Sequence, residues 1–187
     1  NTARALIART PADEPLEKEY DLILSTVPSF VMTKLVDLPD DYRALLEGVH
    51  YLAAVVLILE LTHPLTDTYW INITDSSIPF LGMIEQTNMM PPAAYGGSHV
   101  VYLTNYLDRN DELYKMSREQ LVDTYVPHLS RFNPDFDPAW GKRIHYNRVS
   151  AAQPVIETGY SRRIPAHRTP IDRLYLANTT QIYPEDR

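Results

Sequence analysis

Hydrophobic and polar positions change rhythm several times along this chain, and each change marks an element. Residues 1–19 are polar, contain Pro11 and Pro15 and keep no period, so they read as a loose lead-in segment. Residues 20–26 form a short apolar run closed by Val27-Pro28, the pattern of a buried strand. Ser29 is placed to cap a helix through Val36, and Pro39 suits the first turn of another that runs to Glu47 and stops at Gly48. Residues 49–62 are apolar and β-branched and end at His63-Pro64. Residues 68–74 alternate, with Tyr69, Ile71 and Ile73 against Trp70, Asn72 and Thr74. Strands are predicted at 80–88 and 99–107, separated by the turn region Met89-Met90-Pro91-Pro92 and Tyr95-Gly96-Gly97. A short helix covers 110–116. Ser117-Arg118-Glu119-Gln120 is a capping box for a second helix with Leu121, Val122, Tyr125, Val126 and Leu129 on one face, which Pro127 should kink or split. A strand over 140–149, a proline-punctuated loop over 150–170 and a closing strand at 174–177 complete the chain.

These elements predict an α+β fold: a mainly antiparallel, mixed sheet of about five strands with packed helices. The short spacing between the middle strands favours antiparallel neighbours, because parallel connections need a long crossover. Two short strands, 21–26 and 174–177, stand apart. Both are apolar on all sides, as in parallel sheets covered on both faces, and neither has an obvious parallel partner in this chain. The second opens into a polar, turn-rich stretch from Asn178 to Arg187, and open α/β sheets hold ligands at the carboxyl ends of such strands.

Composition narrows the function classes. The chain has 187 residues, 44% of them hydrophobic and 22% charged, which is the balance of a globular protein with a proper core. It has no cysteine, which excludes disulfides, thiolate metal sites and cysteine catalysis. The longest apolar run, 51–59, is far too short to span a bilayer, and the first fifteen residues carry no signal-peptide core, so a cytoplasmic protein without a membrane span is expected. The net charge of −7 is uneven: residues 142–187 hold 8 of the 17 basic residues and only 4 of the 24 acidic ones. That basic quarter could face an anionic ligand, while the acidic surplus elsewhere argues against nucleic acid as a partner.

No self-contained catalytic constellation is visible. Six glycines form neither a Gly-x-Gly-x-x-Gly nor a P-loop, six histidines show no metal-ligand spacing, and no metal site is expected. Gly97-Ser98-His99 is not a nucleophile elbow, and Ser98 and His99 would point to opposite faces of a strand.

Three segments carry a family resemblance. Asp21-Leu22-Ile23-Leu24-Ser25-Thr26-Val27-Pro28 is similar to the strand by which FAD-dependent oxidoreductases of the amine oxidase, protoporphyrinogen oxidase and phytoene desaturase type return to their FAD domain. The middle, through Tyr69-Trp70 and residues 80–88, looks like the substrate domain of that group. Leu174-Tyr175-Leu176-Ala177-Asn178 resembles the last FAD-domain strand. UDP-galactopyranose mutase shares the broader fold. The resemblance covers roughly residues 20–187; Asn178-Thr179 stands where the family has Gly-Asp or Gly-Glu, and neither the Gly-rich βαβ unit nor the glycine-led helix after the last strand is present.

The resemblance implies the substrate-binding portion of an FAD-dependent oxidoreductase. The domains would be a lead-in (1–19), FAD-domain remnants (20–28 and 171–187) and a substrate-binding domain (29–170). The missing N-terminal FAD-binding part of the same polypeptide would be the partner. In the intact protein Thr26, Val27, Pro28, Asn178, Thr179, Tyr183, Glu185, Asp186 and Arg187 would lie along FAD, and Tyr69, Trp70, Glu85, Thr87, Asn88, Tyr102 or Arg148 would meet a small-molecule substrate. The fragment alone is expected to be inactive and without bound FAD. Two alternatives stand beside this reading. One is part of a flavin-dependent nucleotide-sugar mutase, with Arg162, Arg163 and Arg168 on a diphosphate; the other is a cofactor-free binding domain whose terminal strands pair with each other.

Overall fold

The computed structural model describes residues 2–184. The expected cofactor positions Glu185, Asp186 and Arg187 therefore lie outside the described residues. In chain order the elements are strands β1 (Ala5–Arg9), β2 (Pro15–Glu19) and β3 (Ile23–Ser25), helices α1 (Ser29–Leu35) and α2 (Asp40–Glu47), and strands β4 (Tyr51–Leu61), β5 (Trp70–Asn72), β6 (Gly82–Glu85) and β7 (His99–Leu107). Helices α3 (Glu112–Lys115) and α4 (Arg118–Tyr125) and strands β8 (Gly141–Pro154) and β9 (Leu174–Leu176) follow. The chain forms two compact units, one from the described parts of 1–51 and 153–187, the other Leu52–Ala152. Residues 29–51 and 153–170 fall in the first unit, together with the terminal strands.

The second unit is built on a five-stranded sheet in the order β5-β6-β7-β4-β8, the α+β architecture that the pattern predicts. Neighbours β5–β6, β6–β7 and β7–β4 run antiparallel. Along β4 every odd residue is buried and every even one is half-buried, so the strand's two faces differ. Val55, Leu57 and Leu59 meet Val101, Leu103 and Met83, and α4 closes over them with Leu121 and Tyr125, followed by Leu129. Each fully buried leucine contributes about 2 kcal/mol by leaving water. The capping box forms as predicted: Gln120 N–H donates to Ser117 Oγ (3.2 Å) and Ser117 N–H to Gln120 Oε1 (2.9 Å). Pro127 splits the helix, which continues as a 3₁₀ turn, Val126–Arg131.

Four expectations are corrected. Residues 1–19 are not a loose lead-in but hold the β1–β2 hairpin, whose five cross-strand pairs give it an order that its irregular polar pattern hides. Strand β6 ends at Glu85, and Thr87 and Asn88 sit on a 3₁₀ turn, Gln86–Asn88, instead of on a strand. Ser29 does not cap α1; Pro28 occupies that position and Ser29 is the first helical residue, its hydroxyl buried against Thr180. The two stray strands do have a partner, namely each other.

β3 and β9 pair in parallel, Ile23 with Leu174 and Ser25 with Leu176. One face of this ribbon packs on Met32, Leu38, Tyr42 and Leu46 from α1, α2 and the turn between them. The other face is open, with Leu22 at 62% and Leu24 at 61% exposure. The sequence pattern of strands covered on both faces is therefore met on one face only.

Candidate functional site

The ribbon brings two chain turns together at the carboxyl ends of its strands. Ala177 N–H donates to Ser25 O at 2.9 Å, so Thr26 and Asn178 start their loops side by side. Asn178 Nδ2 donates to Val27 O (2.8 Å) and Ser29 Oγ (3.2 Å), while its Oδ1 accepts from Thr180 N–H (3.0 Å) and Thr180 Oγ1 (2.7 Å). Tyr160 Oη donates to Thr180 O at 2.5 Å. Burial pushes the Tyr160 hydroxyl up, so it remains a donor at neutral pH. Asn178 is thus a clamp between the two turns, and its side-chain groups are all spoken for. Thr26 and Thr179 are exposed and make no side-chain hydrogen bond among the described residues, Val27 and Pro28 are half-buried, and Tyr183 is exposed.

The second unit presents a different kind of surface. Register aligns Trp70 with Ile84, Ile84 with Tyr102 and Tyr102 with Ile58, a row of large side chains on the face away from α4. Next to it lies a cavity of about 460 Å³ lined by Ile58, Glu60, Tyr95, Val100, Tyr102, His145 and Asn147. Glu60 Oε1 sits 2.7 Å from His145 Nε2 and 3.9 Å from Arg143. The His145 hydrogen bond, then the Arg143 and Lys142 charges, hold the Glu60 carboxyl below the usual carboxylate range. Tyr95 reaches the cavity from a 3₁₀ turn, Pro92–Tyr95, that reverses through Gly96 (φ 62°) and Gly97 (φ 78°), a left-handed pair that favours glycine.

The structure separates the substrate residues expected from sequence. Trp70 and Tyr102 share the open face. Tyr69 aligns with Glu85 on the helix-covered face, where Tyr69 is half-buried. Glu85 is fully buried, and its carboxylate accepts from Leu65 N–H (2.9 Å), Thr66 N–H (2.6 Å) and Thr66 Oγ1 (3.1 Å). Thr87 Oγ1 accepts from Val100 N–H, and Asn88 Nδ2 donates to Thr66 O. These three residues hold the 64–68 turn and β7 in place. Arg148 alternates with His145 and Asn147, donates to Tyr114 O (3.0 Å) and lies 5.2 Å over the Tyr114 ring on the helix side. Of the basic group, Arg163 pairs with Glu157 (2.6 Å) and Arg168 lies 3.9 Å from Asp172. Sequence reasoning missed Ile58, Glu60, Tyr95, Val100, His145 and Asn147. The available signal was Glu60, the lone charge in the eleven residues of β4.

Comparison with known proteins agrees with this architecture. The chain belongs to the flavin-containing amine oxidoreductase family, whose profile matches residues 7–184. No curated protein matches it. Among solved structures it is similar to a protein assigned as a protoporphyrinogen oxidase from Exiguobacterium sp. 255-15, with a TM-score of 0.66 and 14% identity over 100% of this chain and 42% of that one. It is also similar to a reduced UDP-galactopyranose mutase, with a TM-score of 0.64 and 14% identity over 84% of this chain and 34% of the other. A third is an oxidoreductase from Methanosarcina mazei, with a TM-score of 0.63 and 17% identity over 87% of this chain and 38% of the other. At these identities the likeness concerns the fold. The chain spans less than half the length of each of the three. Among the described residues no helix is long and apolar enough to cross a membrane, and no group of His, Asp and Glu is placed to hold a metal ion.

Proposed function

We propose that this chain is the substrate-binding portion of an FAD-dependent oxidoreductase. The observation that carries the reading is a sheet with one face sealed by α4 and the other left open, bearing a row of large side chains and a cavity with polar walls. Ligand sites combine apolar walls and a few convergent polar groups in this way. FAD, when bound, supplies the electron-accepting ring that does the redox chemistry. The ribbon's contribution fits an edge of such a cofactor site: Thr26 and Thr179 offer exposed hydroxyls where two parallel strands end, and Asn178 keeps the two turns together. The described residues contain no glycine-rich phosphate cradle, so the 187-residue chain by itself is expected to retain no FAD and to be inactive.

The sheet unit would bind and orient a small-molecule substrate, while Ile58, Val100 and Tyr102 exclude water from one side of it. The test is the full-length protein. Purified from its host, it should carry flavin absorbance and the flavin should bleach anaerobically with a reducing substrate. A colourless, flavin-free protein with intact secondary structure sinks the reading. A cofactor-free binding domain would also pair its terminal strands, as β3 and β9 do, and the same absorbance measurement separates the two. Titration with UDP-sugars tests the mutase alternative, which predicts binding without net flavin reduction.

A further inference from the structure

The cavity on the open sheet face has an apolar floor and polar walls, and the walls have atoms to spare. Ile58 pairs in register with Tyr102, and Glu60 with Val100, so all four side chains rise from the same face of adjacent strands. His145 and Asn147 alternate along β8 and meet them from the other side of β4. At about 460 Å³ the space suits a small organic molecule. Glu60 uses one oxygen, Oε1, for His145; Oε2 has no hydrogen-bond partner among the described residues, and neither do the Asn147 amide or the hydroxyls of Tyr95 and Tyr102.

The charge around Glu60 decides what it can receive. His145 and Arg143 share its Oε1, and Lys142 adds a further positive charge nearby. A cationic head would meet the field of Arg143 and Lys142 on its way to the carboxylate. An anionic head would meet the carboxylate itself, with His145 and Arg143 already engaged. A neutral hydroxyl or N–H pays neither penalty and still gains a charge-assisted hydrogen bond to Oε2. The asymmetry in binding comes from the desolvation and pairing of each head, since all three share the same apolar floor.

We propose that Glu60, held by its hydrogen bond to His145, is the specificity-determining residue of this cavity, and that it selects a neutral ligand with an apolar body and a hydroxyl or N–H donor. The inference rests on the reading of this sheet face as the substrate side. Ile58, Val100 and Tyr102 take the apolar body, and Glu60 Oε2 accepts from the donor.

Calorimetric titration of the full-length protein tests it with three probes on one scaffold: hydrocinnamyl alcohol, phenylpropylamine and hydrocinnamate. The alcohol should bind about tenfold more tightly than either charged probe, the margin set by the desolvation and pairing cost of each charged head. Glu60→Leu should remove the alcohol's lead and raise hydrocinnamate above the amine, and His145→Phe should weaken the alcohol alone, with flavin content and circular dichroism confirming that both variants fold. Glu60→Gln, which keeps an acceptor and loses the charge, should let hydrocinnamate bind more tightly than in the parent. Tighter binding of the amine or of hydrocinnamate, no binding of any probe, or a ranking untouched in Glu60→Leu would overturn the proposal. A flavin-loaded protein with the wrong ranking defeats this inference alone, whereas a flavin-free protein defeats the functional reading beneath it.

Discussion

Two carboxylates show how differently the same group is used in this sheet unit. Glu85 is buried and gives its charge to three donors in the Leu65–Thr66 turn. Replacing it with Gln leaves an amide facing backbone N–H groups, so Glu85→Gln should lower the unfolding free energy by about 2 kcal/mol in urea titrations of the full-length protein. Were Glu85 a substrate ligand, the same change would alter KM and spare stability. Asp75 is half-exposed and takes its strength from neighbours. Ser77 hydrogen bonds first, then Arg131, lower its carboxyl to about 2. An unfolded aspartate titrates at about 3.9. The folded value is the lower one, so the stabilisation is complete above the unfolded value and is lost as pH falls towards the folded one. Thermal melts of Asp75→Asn and the parent should differ at neutral pH, converge as pH drops through that window and coincide below it.

At the scale of elements, the β3–β9 ribbon depends on a clamp. Strands of three residues bury little, and a lone pair of strands is marginal in water. Met32, Leu46 and Leu176 give the ribbon one apolar face, and Asn178 locks its carboxyl end through bonds to Val27, Ser29 and Thr180. Asn178→Ala removes the cap of the Thr179–Gln181 turn and both bonds to the 27–29 segment. It should cost about 2 kcal/mol and raise hydrogen exchange at Ala177 and Ile23, the amides nearest the ribbon's ends. The capping box of α4 is the opposite case: Ser117 and Gln120 lie three residues apart, and their spacing alone announces the helix start.

For the molecule as a whole, the open faces carry the argument. A ribbon covered on one side and a sheet covered on one side each leave large apolar side chains in water, Leu24 in the first and Trp70 in the second. Exposed apolar faces of this kind mark surfaces that meet something else. On the proposed reading the ribbon meets the remainder of a flavin domain and the sheet face meets substrate, which the flavin absorbance of the full-length protein and the probe titrations test separately.

The sequence by itself determined the elements whose signals are local: the apolar runs of β4 and β7, the capping box, the split at Pro127, and the motifs at Asp21–Pro28 and 174–178 that point to the family. Hydrogen bonding and burial period act within a few residues, so they can be read in a line. Tertiary structure alone decided which distant pieces meet. The partnership of β3 with β9, the contact of Ser29 with Thr180 across 151 residues, the burial of Glu85 and the meeting of Glu60 with His145 across 85 all join residues with no local pattern in common. Such contacts depend on the entropy of closing long loops and on which face of a sheet another element covers, and neither quantity is written in neighbouring residues.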